Sequence, residues 1–167
     1  MATSTDQIKQ RYPIPVYNYR VTIVMGQVST LSEFAQISIP EDKLHRIGCS
    51  AVLGLNMENE VVEYRHGYSF FSGQQLVSAG SKPVRLSILK GVTIKGSYLS
   101  DWMQSPQSDK RTIIIDLCNE RGDPVIRWGV FHALPLSLEA PAFDANSSEA
   151  AFERLDVVAQ KMEVNYL

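Results

Sequence analysis

A chain of 167 residues, 44% hydrophobic and 20% charged, has the length of one ordinary domain and the composition of a globular protein with a real core. Its formal net charge of −2, with Lys and Arg scattered and never in a run, argues against specific nucleic-acid binding through a basic surface. The longest apolar runs, such as 112–117, fall far below the ~20 residues of a membrane helix, and MATSTDQIKQ is too polar for a signal peptide, so cytoplasmic synthesis and no direct membrane insertion are expected.

The elements, taken in order, are mostly strands. VYNYRVTIV alternates, with Tyr17, Tyr19, Val21 and Ile23 on one face and Asn18, Arg20 and Thr22 on the other, as a half-buried strand requires. EVVEYR (60–65) is a short strand ending at His66-Gly67. VRLSILKGV (84–92) turns Val84, Leu86 and Ile88 inward and Arg85 and Ser87 outward. SYLSDWMQS (97–105) reads as a helix, because Leu99, Trp102 and Met103 stand at i, i+3 and i+4 and Pro106 stops it. RTIIIDLC (111–118), the turn-rich NERGDP and VIRWGVFHA (125–133) form an antiparallel hairpin. The last segment is ambiguous: Ala151, Leu155, Val158, Ala159 and Met162 fit a helical face, with Asn146 and Glu149 as a cap signal, while Leu155, Val157 and Ala159 also fit strand alternation. The expected fold class is mainly β, an antiparallel β-barrel or sandwich with one short α-helix and no internal repeat.

Signals for chemistry are missing. Cys49 and Cys118 lie far apart without CxxC or Cys/His spacing and read as reduced thiols filling space. The glycines around Gly91 and Gly96 lack the Lys-Ser/Thr and helix of a phosphate loop. His45, His66 and His132 have no HxxxH or HxH spacing, and no serine sits in GxSxG. Glu58, Glu60 and Glu63 read as a solvated or partner-facing strand edge rather than acid–base pairs. Asn146-Ser147-Ser148 is a chance glycosylation match. No catalytic residue, metal or cofactor is expected, and the protein does not read as an enzyme.

The order of segments is informative. YPIPVYNYRVTI, VLGLNMENEVVEYRHG, VRLSILKGVT, YLSDWM, RTIIIDLCNERGDPVIRWGVFHALP and APAFDANSSEAAFERLDVVAQKMEV together resemble the tail-tube family of contractile phage tails and phage-tail-like injection systems, from about Tyr12 to Val164. The resemblance implies that residues 151–163 are the final strand of a barrel and that Leu99 and Trp102 mark the family's single helix. Leu155, Val157 and Ala159 would then point to the core, while Val158 and Met162 meet a neighbouring subunit. The expected inter-subunit contacts are Leu155, Val158, Met162, Glu63 and Arg65.

The chain departs from the family between its first strand and VLGL. There, VSTLSEFAQISIPEDKLHRIGCSA suggests an insertion of roughly 15–20 residues within one tail-tube-like domain spanning 1–167, the inserted loop lying at about 30–48. Phe34, Ile37, Ile39, Leu44 and Ile47 give it apolar surface, and Phe34, Ile37, Ile39 and Leu44 are the expected docking residues for a hub or another ring. The alternative is a longer hairpin that extends the barrel. The resemblance implies a subunit of a hexameric ring, stacked with adjacent rings into the inner tube of a released, virion-like particle. Its implied partners are further copies of itself, the surrounding sheath, spike hub and baseplate proteins, and cargo in the lumen. The insertion points to the tube-initiating ring on the hub; the alternatives are a bulk inner-tube subunit and, in other classes, a small-ligand-binding β-barrel or a hydrolase.

Overall fold

The computed structural model describes residues 13–26, 28–64, 75–94, 96–105 and 109–167. Strand β1 (Tyr19–Val24) pairs on one side with β2 (Leu44–Ile47) and on the other with β7 (Arg111–Cys118). β7 pairs with the 16-residue β8 (Pro124–Glu139). β8 then meets two strands in succession, β10 (Lys161–Tyr166) along its first half and β9 (Phe152–Ala159) along its second. β9 pairs with β6 (Val84–Gly91), and β6 with β3 (Cys49–Leu53). All these pairings are antiparallel and join eight strands in one sheet.

The change of partner along β8 has a local cause. His132 adopts φ 54°, in the left-handed region, between Phe131, paired with Lys161 of β10, and Leu134, paired with Val158 of β9. The register of β7 against β8 shifts at the same place, between Arg111 and Ile113. A bulge of this kind bends a strand and raises its twist, which lets one strand serve two parts of a curled sheet. Inside the curl, Val21, Ile23, Leu86, Ile88, Ile113, Val130, Leu155 and Val157 form the main core. The alternation expected for 84–92 is observed, and it continues to Lys90, whose buried ammonium pairs with Glu153 at 2.7 Å.

The helix expected at 97–105 is α2 (Tyr98–Gln104). Leu99 and Trp102 are fully buried, and the Trp102 indole N–H donates to the Asp109 carbonyl at 3.0 Å. The Arg111 guanidinium lies over the Tyr98 and Trp102 rings, 4.8 and 5.0 Å from their centroids. Met103, placed with them by spacing, is exposed: in a seven-residue helix the buried face is no wider than Leu99 and Trp102.

At the C-terminus the segment is extended as expected, but the single final strand expected over 151–163 is two strands, β9 and β10. Leu155, Val157 and Ala159 are buried on β9, and Gln160 interrupts the run before β10. The helical spacing there is a coincidence of two strands with apolar residues on both faces.

The segment around 30–48 mixes the two expected outcomes. Its end, β2, extends the sheet beside β1 with Val21 opposite Ile47, as a longer hairpin would. Its beginning forms a short helix, α1 (Leu31–Gln36), a second helix where the sequence suggested one. The Thr30 hydroxyl accepts the Glu33 N–H and the Glu33 carboxylate accepts the Ser29 N–H, so the first turn is satisfied from both sides. Leu31 and Val28 join Val24, Ile114 and Phe131 in a second buried cluster on the other side of the sheet.

Candidate assembly surfaces

The apolar side chains of the 30–48 segment face mostly inward. Phe34, Ile39 and Leu44 are half-buried against the second cluster, and the Arg127 guanidinium lies 5.2 Å from the Phe34 ring centroid. Arg127 is itself held by a two-pronged pair with Asp116, at 2.6 and 2.9 Å, whose hydrogen bonds raise the arginine pKa further. The Thr112 hydroxyl donates to the Val28 carbonyl, and the Glu163 carboxylate accepts the Leu31 N–H at 2.8 Å. Gly129 on β8 makes room for this contact, since a Cβ there would come within 2.6 Å of Leu31 Cδ2 and 2.7 Å of the Phe131 ring. Of the four expected docking residues only Ile37, 45% exposed, lies open on the surface. Phe34, Ile39 and Leu44 instead pack against the chain's own second cluster.

The inter-subunit candidates are similarly divided. Leu155 is fully buried in the main core and is corrected from a surface contact to a core residue, because β9 turns it inward between Ile88 and Leu138. Met162 is half-buried against the same core. Val158 is half-buried and occupies the outward face of β9, opposite Arg85 of β6. Glu63 is exposed on β4 (Asn59–Tyr64), and Arg65 lies outside the described residues.

β4 and its partner β5 (Gln75–Ser81) form a two-stranded sheet of their own, paired, among the described residues, with no strand of the larger sheet. Adjacent strand residues face opposite ways, so Val61 and Val62, 56% and 49% exposed, leave apolar surface on both faces of this arm. The arm's base is pinned by the Lys82 N–H to the Glu58 carbonyl and by the Lys82–Glu58 ion pair at 3.1 Å. An isolated two-stranded ribbon is at best marginally stable in water.

A groove runs beside that base over the outward face of β6 and β9. Gly54 and Arg85 line both halves of it, with Val158 towards the arm and Leu53, Leu136 and Asp156 further along. Gly54, at φ 87°, sits where a Cβ would overlap the Arg85 carbonyl oxygen, which holds the β3 exit close to β6. Hydrogen bonds, first from Ser87 and then from Ser137 and Arg154, outweigh burial and hold the Asp156 carboxyl below its usual range. The charges of Asp156 and Arg154 are thus internally matched, as are those of Lys82 and Glu58. Arg85 has no ion pair among the described residues. Sequence reading named Val158 but not Arg85, since an outward arginine on a strand is ordinary until the groove around it is seen.

Burial pushes the Cys49 thiol up to about 11, and Cys118 is buried, so both cysteines are space-filling thiols. Among the described residues no group of His, Cys, Asp and Glu is arranged to hold a metal ion. Nor is any helix there long and apolar enough to cross a membrane.

Comparison with curated proteins found no match. Among solved structures, a chain of the PVC extracellular contractile injection system, sheath–tube complex in the extended state, is 29% identical with TM-score 0.77, covering 99% of this chain and 100% of that one. A chain of the PVC sheath/tube terminator is 27% identical with TM-score 0.73 over 93% of this chain and 98% of that one. One from the anti-feeding prophage cap, which terminates the tube, is 25% identical with TM-score 0.74 over the full length of both. The family model for the T4-like virus tail tube protein gp19 matches residues 17–163, from the turn before β1 into β10. That span takes in both the curled sheet and the arm, and the chain therefore belongs to the gp19 tail tube family, as a tube protein of contractile injection systems.

Proposed function

We propose that this chain is a repeating ring subunit of the inner tube of a contractile injection particle. Six copies close around a central channel, rings stack into the tube, and a sheath surrounds it. The whole chain acts as one tail-tube-like domain. The observation that carries this reading is the β4–β5 arm, a ribbon with apolar residues on both faces and no further strand partner among the described residues. A contact repeated from copy to copy by rotation closes into a ring and leaves no arm uncovered. Val158→Asp places a charge on the outward face of β9 beside the arm's base; it should leave the chain folded and prevent rings in electron micrographs. Sixfold rings from that variant would mean that this face is not part of the ring contact.

The tube-initiating ring on a spike hub is the second reading, and the exposed Ile37 favours it. The bulk tube is preferred because Phe34, Ile39 and Leu44 are committed to the chain's own second cluster, which leaves little apolar surface for a hub. Ile37→Asp distinguishes the two: loss of co-purification with the hub, with ring stacking intact, would favour the initiating ring.

A further inference from the structure

We infer that the β4–β5 arm of one copy lies in the groove on β6 and β9 of the next copy, with Glu60 of the arm paired to Arg85 of the groove. This rests on the ring reading above and supplies the contact that the reading leaves unspecified. Among the described residues the groove offers one cation without an ion pair, Arg85, beside apolar Val158, its cross-strand neighbour on the same face. The arm offers the complement: exposed Glu60 and, two residues on and therefore on the same face of β4, exposed Val62. A strand repeat of two residues is about 6.6 Å and neighbouring strands lie about 4.8 Å apart. An arm laid across β6 and β9 can thus set its carboxylate at the arginine and its valine at Val158, the long arginine side chain taking up the difference.

The occupant is a second copy rather than the same chain. Within one chain Glu60 and Arg85 form no ion pair, although the arm springs from the groove's own rim at Glu58 and Lys82. The contact is also heterologous, arm to groove, the kind that closes into a ring by rotation. Desolvated between the apolar neighbours Val62 and Val158, such a pair fixes register, and like charges placed there oppose association.

The full chain and its Glu60→Arg and Arg85→Glu variants supply the test, by light scattering and electron microscopy over a concentration series. Both residues are exposed, so each variant should keep the parent's melting curve. Glu60→Gln and Arg85→Gln, which remove charge without reversing it, should weaken assembly less and serve if a reversal disturbs folding. Each reversal alone should raise the concentration needed for rings by about tenfold or more. An equimolar mixture of the two should return to within about threefold of the parent, because in an alternating ring every arm again meets an opposite charge. Recovery in the double variant Glu60→Arg/Arg85→Glu without recovery in the mixture would show a contact within one chain and overturn the proposal. So would single variants that assemble like the parent, which would leave the tube reading intact and assign the groove to another occupant, such as the sheath. A parent chain that forms no ring at any concentration would remove the tube reading itself, and this contact with it.

Discussion

The Glu163 carboxylate accepts the Leu31 N–H at 2.8 Å, joining the last strand to a helix 132 residues earlier in the chain. It supplies an acceptor for one of the N–H groups that a helix start leaves open, and it pins the 30–48 segment to β10. Burial alone would raise the Glu163 carboxyl, but the Leu31 N–H and the Lys161 ammonium hold it below its usual range. A depressed folded pKa gives a stabilisation fully present above the unfolded value and lost as pH falls through the folded one. Glu163→Gln keeps an oxygen that accepts the Leu31 N–H and removes only the charge, so it should cost about 0.3–1 kcal/mol at neutral pH, the worth of a negative charge at a helix start. The gap to the parent should close on acidification below about pH 4.3. Urea melts at pH 7 and pH 3.5 check it, and an equal gap at both would show that the charge is irrelevant.

Gly129 and Leu31 form a matched small–large pair across the strand β8 and the helix α1. Gly129→Ala should cost about 1–3 kcal/mol by overpacking, because neither the Leu31 side chain nor the Phe131 ring can retreat from a buried cluster. Adding Leu31→Ala should then cost less in the Gly129→Ala background than in the parent. Additive losses would show that the two do not meet.

Trp102 is fully enclosed, hydrogen-bonded through its N–H and covered by Arg111. Its replacement by Ala should cost about 3–5 kcal/mol, and at about 2–4 °C per kcal/mol for a chain of this size the loss in Tm should be at least about 6 °C. An unchanged melting temperature would place the indole at the surface.

His132, at φ 54°, occupies a conformation that a β-branched residue adopts only under strain. His132→Gly should hold or raise Tm, while His132→Val should lower it by about 2–8 °C, corresponding to about 1–2 kcal/mol. If the two variants melt alike, the bend in β8 does not depend on this backbone geometry.

Legibility in the sequence followed the number of faces each element buries. β6 buries one face, and its alternation from Val84 to Ile88 could be read directly. β8 was legible only to Ala133, because the bulge at His132 and the proline at 135 break the pattern although the strand runs on to Glu139. The C-terminal strands carry apolar residues on both faces, so their period was ambiguous and the order of segments decided it. α1 went unread because six residues give too little period, yet Thr30 and Glu33 are a capping pair and Gly129 is a strand glycine, the two signals that could have revealed a helix packed on a strand. Of the proposed assembly surface, only Val158 and the exposed carboxylates of β4 could be named from the sequence. Arg85 acquires meaning from the groove around it, which no local pattern encodes.

Electron microscopy of the purified full chain, over a concentration series that reaches saturation, tests the central claim most directly. Sixfold rings with an open centre, stacking into tubes at the highest concentrations, are the predicted result. A monomer at every concentration, with the β4–β5 arm protected from proteolysis by its own chain, would contradict it.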